Sequence, residues 1–337
     1  MAGTKYRVVA ADIKGSHGAR TEEAEELAKI NEEFIKVDCV TEEEIIAGCK
    51  DAEVIITGRA QMTRRVLENL PECKAVIRYG IGYDNIDVSA ATDCGILVIN
   101  IPDFCWEEVS NHVIALLLIC AKKLTLLNDY TKQGRWGEAK GRQSPMGSIW
   151  GQTLGIIGCG NIGRMVARKA ACFGLNIIGY DPYVDRKLTR ESGITMKSLP
   201  EVLKESDYIS LNPFLWQETF HIISEKEFRM MKPTAYLINT SRGPVIDEPA
   251  LIKALQEKRI AGAGLDVFEK EPVDPANPLL KMDNVVVTPH SASYSDAAFS
   301  RLRRSVGKEA ARVLMGKYPR NWVNKDVKPK TKLVKGE

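Results

Sequence analysis

The sequence predicts an α/β protein built from two parallel sheets, each covered by helices. In the first hundred residues, short β-rich runs alternate with amphipathic helical patterns. A long apolar helical pattern follows, and the same alternation restarts at Thr153. Because the chain has 337 residues, 44% of them hydrophobic, it is long enough to bury two cores. We therefore expect two α/β units in one chain.

The first unit contains five strand patterns separated by four helical patterns. The strand patterns are YRVVAADI, FIKVDC, AEVIITG, KAVIRYG and ILVINIP. The helical patterns between them are EEAEELAKI, EEEIIAGC, RRVLENL and VSAATDCG. Strands that alternate with amphipathic helices predict parallel pairing, because a parallel neighbour is reached through a helical crossover.

The pattern from Glu107 to about Lys132 predicts one unbroken helix that bridges the units or builds an interface. A glycine-rich stretch, GRWGEAKGRQSPMGSIWGQ, separates it from the second unit. The strand patterns of that unit are TLGIIG, NIIGYD, DYISLNP, AYLINT, AGAGLDV and NVVVTP. A last helical pattern, SDAAFSRLRRSVGKEAARVLMG, follows.

The composition argues against several classes of partner. The net charge is +3, from 47 basic and 44 acidic residues spread along the chain, so we expect neither nucleic acid nor a membrane as a partner. Eight cysteines without a C-x-x-C pair indicate reduced, buried thiols rather than disulfides or a metal site. The N-terminal apolar stretch is interrupted by a carboxylate, which does not suit a signal peptide. We therefore expect a cytoplasmic protein.

The second unit opens with a dinucleotide-binding motif. TLGIIGCGNIG has the form G-x-G-x-x-G, with Gly158, Gly160 and Gly163 directly after a strand and before a helix. These glycines permit a tight turn, backbone approach to a pyrophosphate, and close packing of helix on strand. Asp181 ends the next strand, where a carboxylate accepts hydrogen bonds from ribose hydroxyls and repels a 2′-phosphate. The motif predicts NAD rather than NADP.

Three polar clusters follow later strands of this unit. They contain Arg242, then Asp266, Glu269 and Glu271, and finally His290. Oxidation of a 2-hydroxy acid by NAD requires a base near neutrality, a carboxylate that orients it, and a guanidinium that holds the substrate carboxylate. Arginine, glutamate and histidine supply these groups. Their spacing alone leaves open whether they converge.

The same clusters resemble the D-isomer-specific 2-hydroxyacid dehydrogenase family. The segments N-T-S-R-G, L-D-V-F-x-x-E-P and T-P-H match its motifs, and the resemblance is strongest to the branch of C-terminal binding proteins and phosphoglycerate dehydrogenases. It implies that Arg242 binds substrate and that His290 is the acid/base. It also implies that Glu271, not Glu269, pairs with His290.

The resemblance further implies two Rossmann-like domains, one flavodoxin-like and one dinucleotide-binding, with the active site in the cleft between them. The substrate domain would comprise residues 1–102 and 294–337. The NAD-binding domain would comprise residues 103–293 and include a long dimerisation helix, so that the protein forms a homodimer.

The family's ligand contacts map onto this chain in two groups. Substrate contacts are Arg78, Ile81 and Gly82 in the loop RYGIGYDNID, together with Arg242. Cofactor contacts are Gly158, Gly160, Asn161, Ile162, Gly163, Asp181, Pro213, Thr219, Thr240, Ser241, Arg242, Asp266, His290 and Ser293.

Two departures from the family bear on ligand contacts. Asn212 and Pro213 stand where many relatives carry a histidine, so contacts on the nicotinamide side differ. Ser293 stands where the C-terminal binding proteins carry a tryptophan, which leaves a smaller, more polar side chain in the pocket.

The other three histidines are expected to have structural or surface roles. His112 is expected to pack or to cap the long helix, His221 to be structural, and His17 to lie at the surface.

Three functional hypotheses follow. The first is an NAD-dependent oxidoreductase that interconverts a small 2-keto acid and the D-2-hydroxy acid. The second is an NAD(H)-sensing scaffold like the C-terminal binding proteins, with weak dehydrogenase activity. The third is non-redox chemistry with retained NAD. The sequence identifies neither the 2-hydroxy acid nor the physiological direction.

Overall fold

The computed structural model describes residues 7–12 and 22–334, and His17 lies outside them. The chain forms two compact units, one of Met1–Phe104 with Ser295–Glu337 and the other of Cys105–Tyr294. Each unit contains a parallel sheet, which confirms the predicted fold class.

The sheet of the first unit has five parallel strands in the order β2-β1-β3-β4-β5. This is the flavodoxin-like order. The strands are β1 Val8–Ala10, β2 Phe34–Lys36, β3 Val54–Thr57, β4 Ala75–Arg78 and β5 Leu97–Ile99. The helices between them are α1 Glu22–Ala28, α2 Glu42–Cys49, α3 Arg64–Glu68 and α4 Val88–Asp93.

A C-terminal helix, Asp296–Leu314, completes this unit by packing against α1. Gly307 permits the close approach, because a Cβ there would lie 2.8 Å from the Cα of Glu23. Ion pairs flank the contact, with Arg303 on Glu22 and Arg304 on Glu26. Residues at the two ends of the chain sequence thus share one folding unit.

The sheet of the second unit has seven parallel strands in the order β12-β11-β10-β9-β6-β7-β8. They are β6 Thr153–Ile157, β7 Asn176–Tyr180, β8 Thr195–Met196, β9 Tyr208–Leu211, β10 Tyr236–Asn239, β11 Gly262–Leu265 and β12 Val285–Val287. The strand order reverses between the neighbouring strands β6 and β9: β7 and β8 follow on one side of β6, whereas β9 to β12 follow on the other. In such sheets ligands bind beyond the carboxyl ends of the strands at this point.

The second unit has eight α-helices among its described residues. They are α5 Trp106–Ala121, α6 Leu124–Lys132, α7 Trp136–Gly141, α8 Asn161–Ala171, α9 Arg186–Glu191, α10 Leu199–Glu205, α11 Glu225–Phe228 and α12 Glu248–Gln256. One turn of 3₁₀ helix, Gly243–Val245, follows β10. Aspartates cap two of these helices, Asp185 on α9 and Asp247 on α12.

The prediction of one unbroken helix from 107 to 132 is wrong. The chain turns at Lys123, whose φ is 50°, and the two helices α5 and α6 are bent by 62°. The reason is their different surroundings: α5 buries eight residues against the sheet, whereas α6 buries none. The apolar run therefore continues in the sequence but not on one buried surface.

Two further differences concern small elements. The two-residue strand β8 was not predicted, because Thr195 and Met196 lack the length of a recognisable β pattern. Within residues 7–12 and 22–334, no helix alone is long and apolar enough to cross a membrane; α5 and α6 reach that length and composition only together, across their bend.

Candidate active site

The glycine turn after β6 has the geometry that a dinucleotide requires. Gly158 has φ of 87°, and a Cβ there would lie 2.6 Å from the backbone of Asn212 and Pro213. At Gly163 a Cβ would lie 2.2 Å from the carbonyl oxygen of Gly158, so the start of α8 packs directly on the turn. A Cβ at Gly160, by contrast, would meet nothing within 4 Å among the described residues. The open side of the turn faces the amino end of α8, where the helix dipole and free amides favour a pyrophosphate.

The side chain of Asp181 is hydrogen-bonded to this turn. Its Oδ2 accepts a hydrogen bond from the amide of Cys159 at 2.8 Å. Its Oδ1 accepts hydrogen bonds from the amides of Tyr183 and Val184 at 2.9 and 3.1 Å. The carboxylate is thus fixed beside the glycine turn. Cys159 itself is inert, because burial raises the pKa of its thiol to about 12.

The remaining cofactor-site predictions lie around the same strand ends. Asn161 accepts a hydrogen bond from Arg164 in the first turn of α8, and Ile162 is half-buried there. Pro213 lies against the glycine turn. Thr219 organises its own loop, because its hydroxyl donates to the carbonyl of Phe214 at 2.6 Å and accepts from the amide of Trp216 at 2.9 Å.

The turn after β10 carries Thr240, Ser241 and Arg242. Buried Asn239 shapes it: its Oδ1 accepts from the amide of Ser241 at 3.0 Å, and its Nδ2 donates to the carbonyl of Arg242 at 2.9 Å. The Arg242 guanidinium donates to the carbonyl of Ser241 at 2.9 Å. Arg242 is therefore held at the carboxyl end of β10 by a side chain of that strand.

Asp266, directly after β11, anchors the segment that follows β12. Its side chain is 0% exposed. Oδ1 accepts from the Thr288 hydroxyl at 2.6 Å and from the Ser291 amide at 2.8 Å, and Oδ2 accepts from the Ala292 amide at 2.8 Å. The carbonyl of Asp266 accepts from the amide of His290 at 2.7 Å. Asp266 thus holds both sides of the turn that presents His290.

His290 and Glu271 contact each other. Nδ1 of His290 lies 2.7 Å from Oε2 of Glu271. Because an ionised carboxylate only accepts, the Nδ1 position carries the proton, and Nε2 is the nitrogen that can exchange one with a ligand. The two side chains are 34% and 27% exposed, so the pair is reachable. Glu269, the other glutamate of this turn, contacts His221 instead.

Arg242 and Glu271 lie on turns in direct contact. A Cβ at Gly243, the residue after Arg242, would lie 1.9 Å from the carbonyl of Phe268 and 2.3 Å from the amide of Glu269. The amide of Phe268 in turn donates to Oε1 of Glu271 at 3.2 Å. Only a glycine permits this approach, so the three polar clusters of the sequence share one edge of the sheet.

His112 has a more specific contact than packing or capping. Its Nε2 lies 2.9 Å from the Thr288 hydroxyl and 3.6 Å from Oδ1 of Asp266. Since the hydroxyl proton of Thr288 goes to Asp266, His112 is the donor to Thr288. No local pattern predicts this contact, because 176 residues separate the two positions.

In the first unit, the predicted substrate loop follows β4. Arg78 ends the strand and its guanidinium donates to the carbonyl of Tyr79. The carbonyl of Ile81 accepts from the Asn100 side chain at 2.7 Å, and Gly82 is buried. Gly80 has φ of 146°, which a glycine adopts without strain. The loop is thus fixed at both of its edges within this unit.

Ser293 is half-buried in the segment that Asp266 anchors. Among the residues that the structure describes, no group of three or more His, Cys, Asp or Glu is placed to hold a metal ion.

Comparison with known proteins identifies the class to which this geometry belongs. Residues 114–292 match the NAD binding domain of the D-isomer specific 2-hydroxyacid dehydrogenases. A glyoxylate reductase of Korarchaeum cryptofilum is 41% identical over an alignment of 309 residues; the match covers 89% of this chain and 93% of that protein.

The chain belongs to the D-isomer specific 2-hydroxyacid dehydrogenase family. It is accordingly an NAD-dependent oxidoreductase, as its resemblance to that family implied.

Two solved structures of this family resemble the chain over most of its length. D-lactate dehydrogenase from Aquifex aeolicus, complexed with NAD and lactic acid, is 32% identical with a TM-score of 0.80; the match covers 92% of this chain and 96% of that one. The NADPH-dependent glyoxylate/hydroxypyruvate reductase of Sinorhizobium meliloti, in complex with NADP and malonate, is 28% identical with a TM-score of 0.84, covering 97% and 99%. Members with this fold thus use either cofactor.

We predict that Asp266→Asn loosens the segment that carries His290. The carboxamide would turn an N–H₂ group toward backbone N–H donors, so at least one buried hydrogen bond is lost. The free energy of unfolding should fall by about 1–3 kcal/mol, and kcat should fall with it. Urea titration and steady-state kinetics measure both.

The matched control is Asp274→Asn, an exposed aspartate whose side chain also accepts from a backbone amide, that of Ala276. It should change stability by less than about 0.5 kcal/mol. An Asp266→Asn protein as stable and active as wild type would contradict the anchoring role.

Proposed function

We propose that the protein reduces a small 2-keto acid, with glyoxylate or hydroxypyruvate as its class of substrate, to the D-2-hydroxy acid with NADH. The observation that carries the proposal is the contact of 2.7 Å between His290 and Glu271, on a turn packed against the residue after Arg242. An oriented imidazole beside a guanidinium is the arrangement that this reaction needs.

His290 moves the proton in this proposal. When protonated, its Nε2 donates to the carbonyl oxygen of the keto acid as negative charge develops there. In the reverse direction, the neutral imidazole takes the hydroxyl proton. Glu271 keeps Nδ1 protonated and orients the imidazole, so that Nε2 is the nitrogen that exchanges a proton with the substrate.

Arg242 and the loop of residues 78–82 bind the substrate. The guanidinium of Arg242 forms charge-assisted hydrogen bonds to the carboxylate and polarises the adjacent carbonyl. The amides around Ile81 and Gly82, with Arg78 nearby, supply further donors for the carboxylate. We propose the domain division that the family organisation implies, with residues 1–102 and 294–337 in one domain and residues 103–293 in the other.

The residues at the glycine turn fit a dinucleotide. Gly160 leaves room for a pyrophosphate, and Asp181 is fixed where it can accept hydrogen bonds from ribose hydroxyls. NADH, when bound, supplies the hydride. Pro213, Thr219, Thr240, Ser241, Asp266 and Ser293 are the proposed contacts on the nicotinamide side, with Asp266 acting mainly through the segment that it anchors.

The side chains after His290 favour a polar substrate class, because they present hydroxyl groups rather than an aromatic ring. Ser291, Ala292 and Ser293 follow it directly, and the half-buried Ser293 offers a hydroxyl rather than an aromatic ring. The glyoxylate reductase that is 41% identical supports the same class. The scaffold role and a retained-NAD role stay predictions from the resemblance alone.

We propose a homodimer as well. Its support is three exposed apolar residues in the segment between α5 and β6: Leu124 is 50% exposed, Trp136 64% and Trp150 77%. Because exposed apolar surface marks interaction sites, we propose that these side chains lie in the dimer interface. A cytoplasmic location remains the expectation from composition.

The proposed activity is tested with purified protein, NADH and separate keto acids. We expect NADH oxidation with glyoxylate and hydroxypyruvate, and a D-configured product from hydroxypyruvate. Pyruvate and branched keto acids test the size preference. Absence of turnover with every keto acid, in a protein that binds NADH, would refute the dehydrogenase proposal.

We predict that His290→Ala lowers kcat by about 10²–10⁴-fold, because the proton transfer loses its acid/base. The dissociation constant for NADH, measured by fluorescence titration, should change little. His112→Ala is the control, because this histidine contacts Thr288 in the Asp266 network and transfers no proton in the proposed reaction. Its kcat should remain well above that of His290→Ala. An unchanged rate in His290→Ala would contradict its role.

We predict that Asp181→Ala weakens the preference for NADH over NADPH by about tenfold, equivalent to about 1.4 kcal/mol. The change removes a negative charge that would repel a 2′-phosphate. The ratio of kcat/KM for the two cofactors measures it. Asp185→Ala, which removes a nearby carboxylate that also caps a backbone amide, should leave the ratio unchanged. Equal ratios in all three proteins would mean that another residue sets the preference.

A further inference from the structure

The second unit contains a second histidine–carboxylate pair that the proposed chemistry does not use. Nε2 of His221 contacts Oε1 of Glu269, and the two side chains are 31% and 28% exposed. Glu269 lies two residues before Glu271, the partner of His290. One turn, residues 267–272, therefore carries both glutamates and pairs with two histidines from different loops.

His221 connects three loops at the carboxyl edge of the sheet. It belongs to the loop that follows β9, and Pro213, near the start of that loop, lies against the glycine turn. Its amide donates to the carbonyl of Pro244, beyond β10, at 2.9 Å. Its imidazole reaches Glu269, beyond β11, and stacks on Phe220 with ring centroids 3.9 Å apart.

The turn that receives this contact is held by hydrogen bonds and by close backbone packing. The amide of Glu269 donates to Oε2 of Glu248 at 3.0 Å, and the amide of Phe268 donates to Oε1 of Glu271 at 3.2 Å. The backbone of Phe268 and Glu269 also packs on Gly243. The backbone of Phe268 therefore joins Glu269 to the carboxylate that orients His290.

Both histidines share an unusual backbone conformation. His221 has φ of 50° and His290 has φ of 52°, two of the five non-glycine residues with positive φ in residues 7–12 and 22–334. A non-glycine residue in this region is strained and persists where the surroundings determine it, often at functional sites. The left-handed conformation thus directs each imidazole toward the same turn.

We propose that His221 is a positioning residue: through Glu269 it ties the loop of residues 213–221, on the cofactor side, to the turn that carries Glu271. Occupation of the glycine turn then biases the geometry of the Glu271–His290 pair before substrate arrives. This inference rests on the proposed function, because it assigns the loop to the cofactor and the pair to proton transfer.

The kinetic test uses His221→Asn and Glu269→Gln. Asparagine tolerates positive φ, so the first variant shortens the side chain without adding backbone strain. Each change should lower kcat for glyoxylate about tenfold, because small displacements of an acid/base lose rate steeply. KM for glyoxylate and the dissociation constant for NADH should stay within about twofold of wild type.

The double variant tests whether the two residues act as a pair. If they do, it should be no slower than either single variant, since one contact is lost in all three proteins. Multiplicative losses in the double variant, or single variants within about twofold of wild-type kcat, would overturn the proposal. Glu257→Gln, an exposed carboxylate paired with Arg259 in the same unit, is the matched control and should retain wild-type kcat.

The second test does not depend on turnover. ADP-ribose contains the pyrophosphate and both riboses but lacks nicotinamide, so it cannot act directly on His290. With only four histidines in the chain, the imidazole signals can be assigned in a proton–carbon NMR spectrum. ADP-ribose should move the His290 ring signals in wild type and in Glu257→Gln, and should leave them nearly unmoved in His221→Asn.

The two proposals fail differently. Failure of wild type to bind ADP-ribose in calorimetry would contradict the cofactor site itself, and with it the inference. If ADP-ribose binds wild type and His221→Asn equally and moves the His290 signals equally in both, the positioning role of His221 is wrong while the proposed function stands.

Discussion

Asp266 has no exposure to solvent, and a carboxylate in such surroundings is stable only when its oxygens accept hydrogen bonds. Thr288, Ser291 and Ala292 supply those bonds, and all three lie within two residues of His290. The need to satisfy one buried charge therefore determines the course of the chain after β12. The direction of the His290 side chain, and its contact with Glu271, follow from that course.

The sheet topology makes this anchoring possible. Asn239 is in register with Leu265 of β11, and Leu265 with Val287 of β12, so these strands end at nearly the same level. The next residues along each strand then lie side by side beyond the edge. This explains why functional groups far apart in sequence occur directly after strands, and why close backbone approach requires glycine at Gly243.

The sequence predicted those parts of the molecule that depend on local patterns. Periodicity gave the parallel strands of both units except β8, and the glycine spacing gave the turn after β6. The contact of Glu271, rather than Glu269, with His290 agrees with the choice that came from the family motif, since spacing could not distinguish two glutamates on one turn. What depended on tertiary contacts was not predicted: the bend at Lys123, the donor role of His112, and the partner of His221.

The two histidine–glutamate pairs differ in what surrounds them, and this difference separates their roles. His290 follows a strand end and is held by backbone bonds to buried Asp266, so its own position is fixed and its Nε2 remains available. His221 belongs to a loop that Thr219 organises from within, and its contact with Glu269 joins that loop to the turn of Glu271. A fixed histidine suits proton transfer, because the reacting nitrogen must keep its place. A histidine on a separate loop suits a positioning role. The loop can move when the cofactor binds, while the acid/base stays in position.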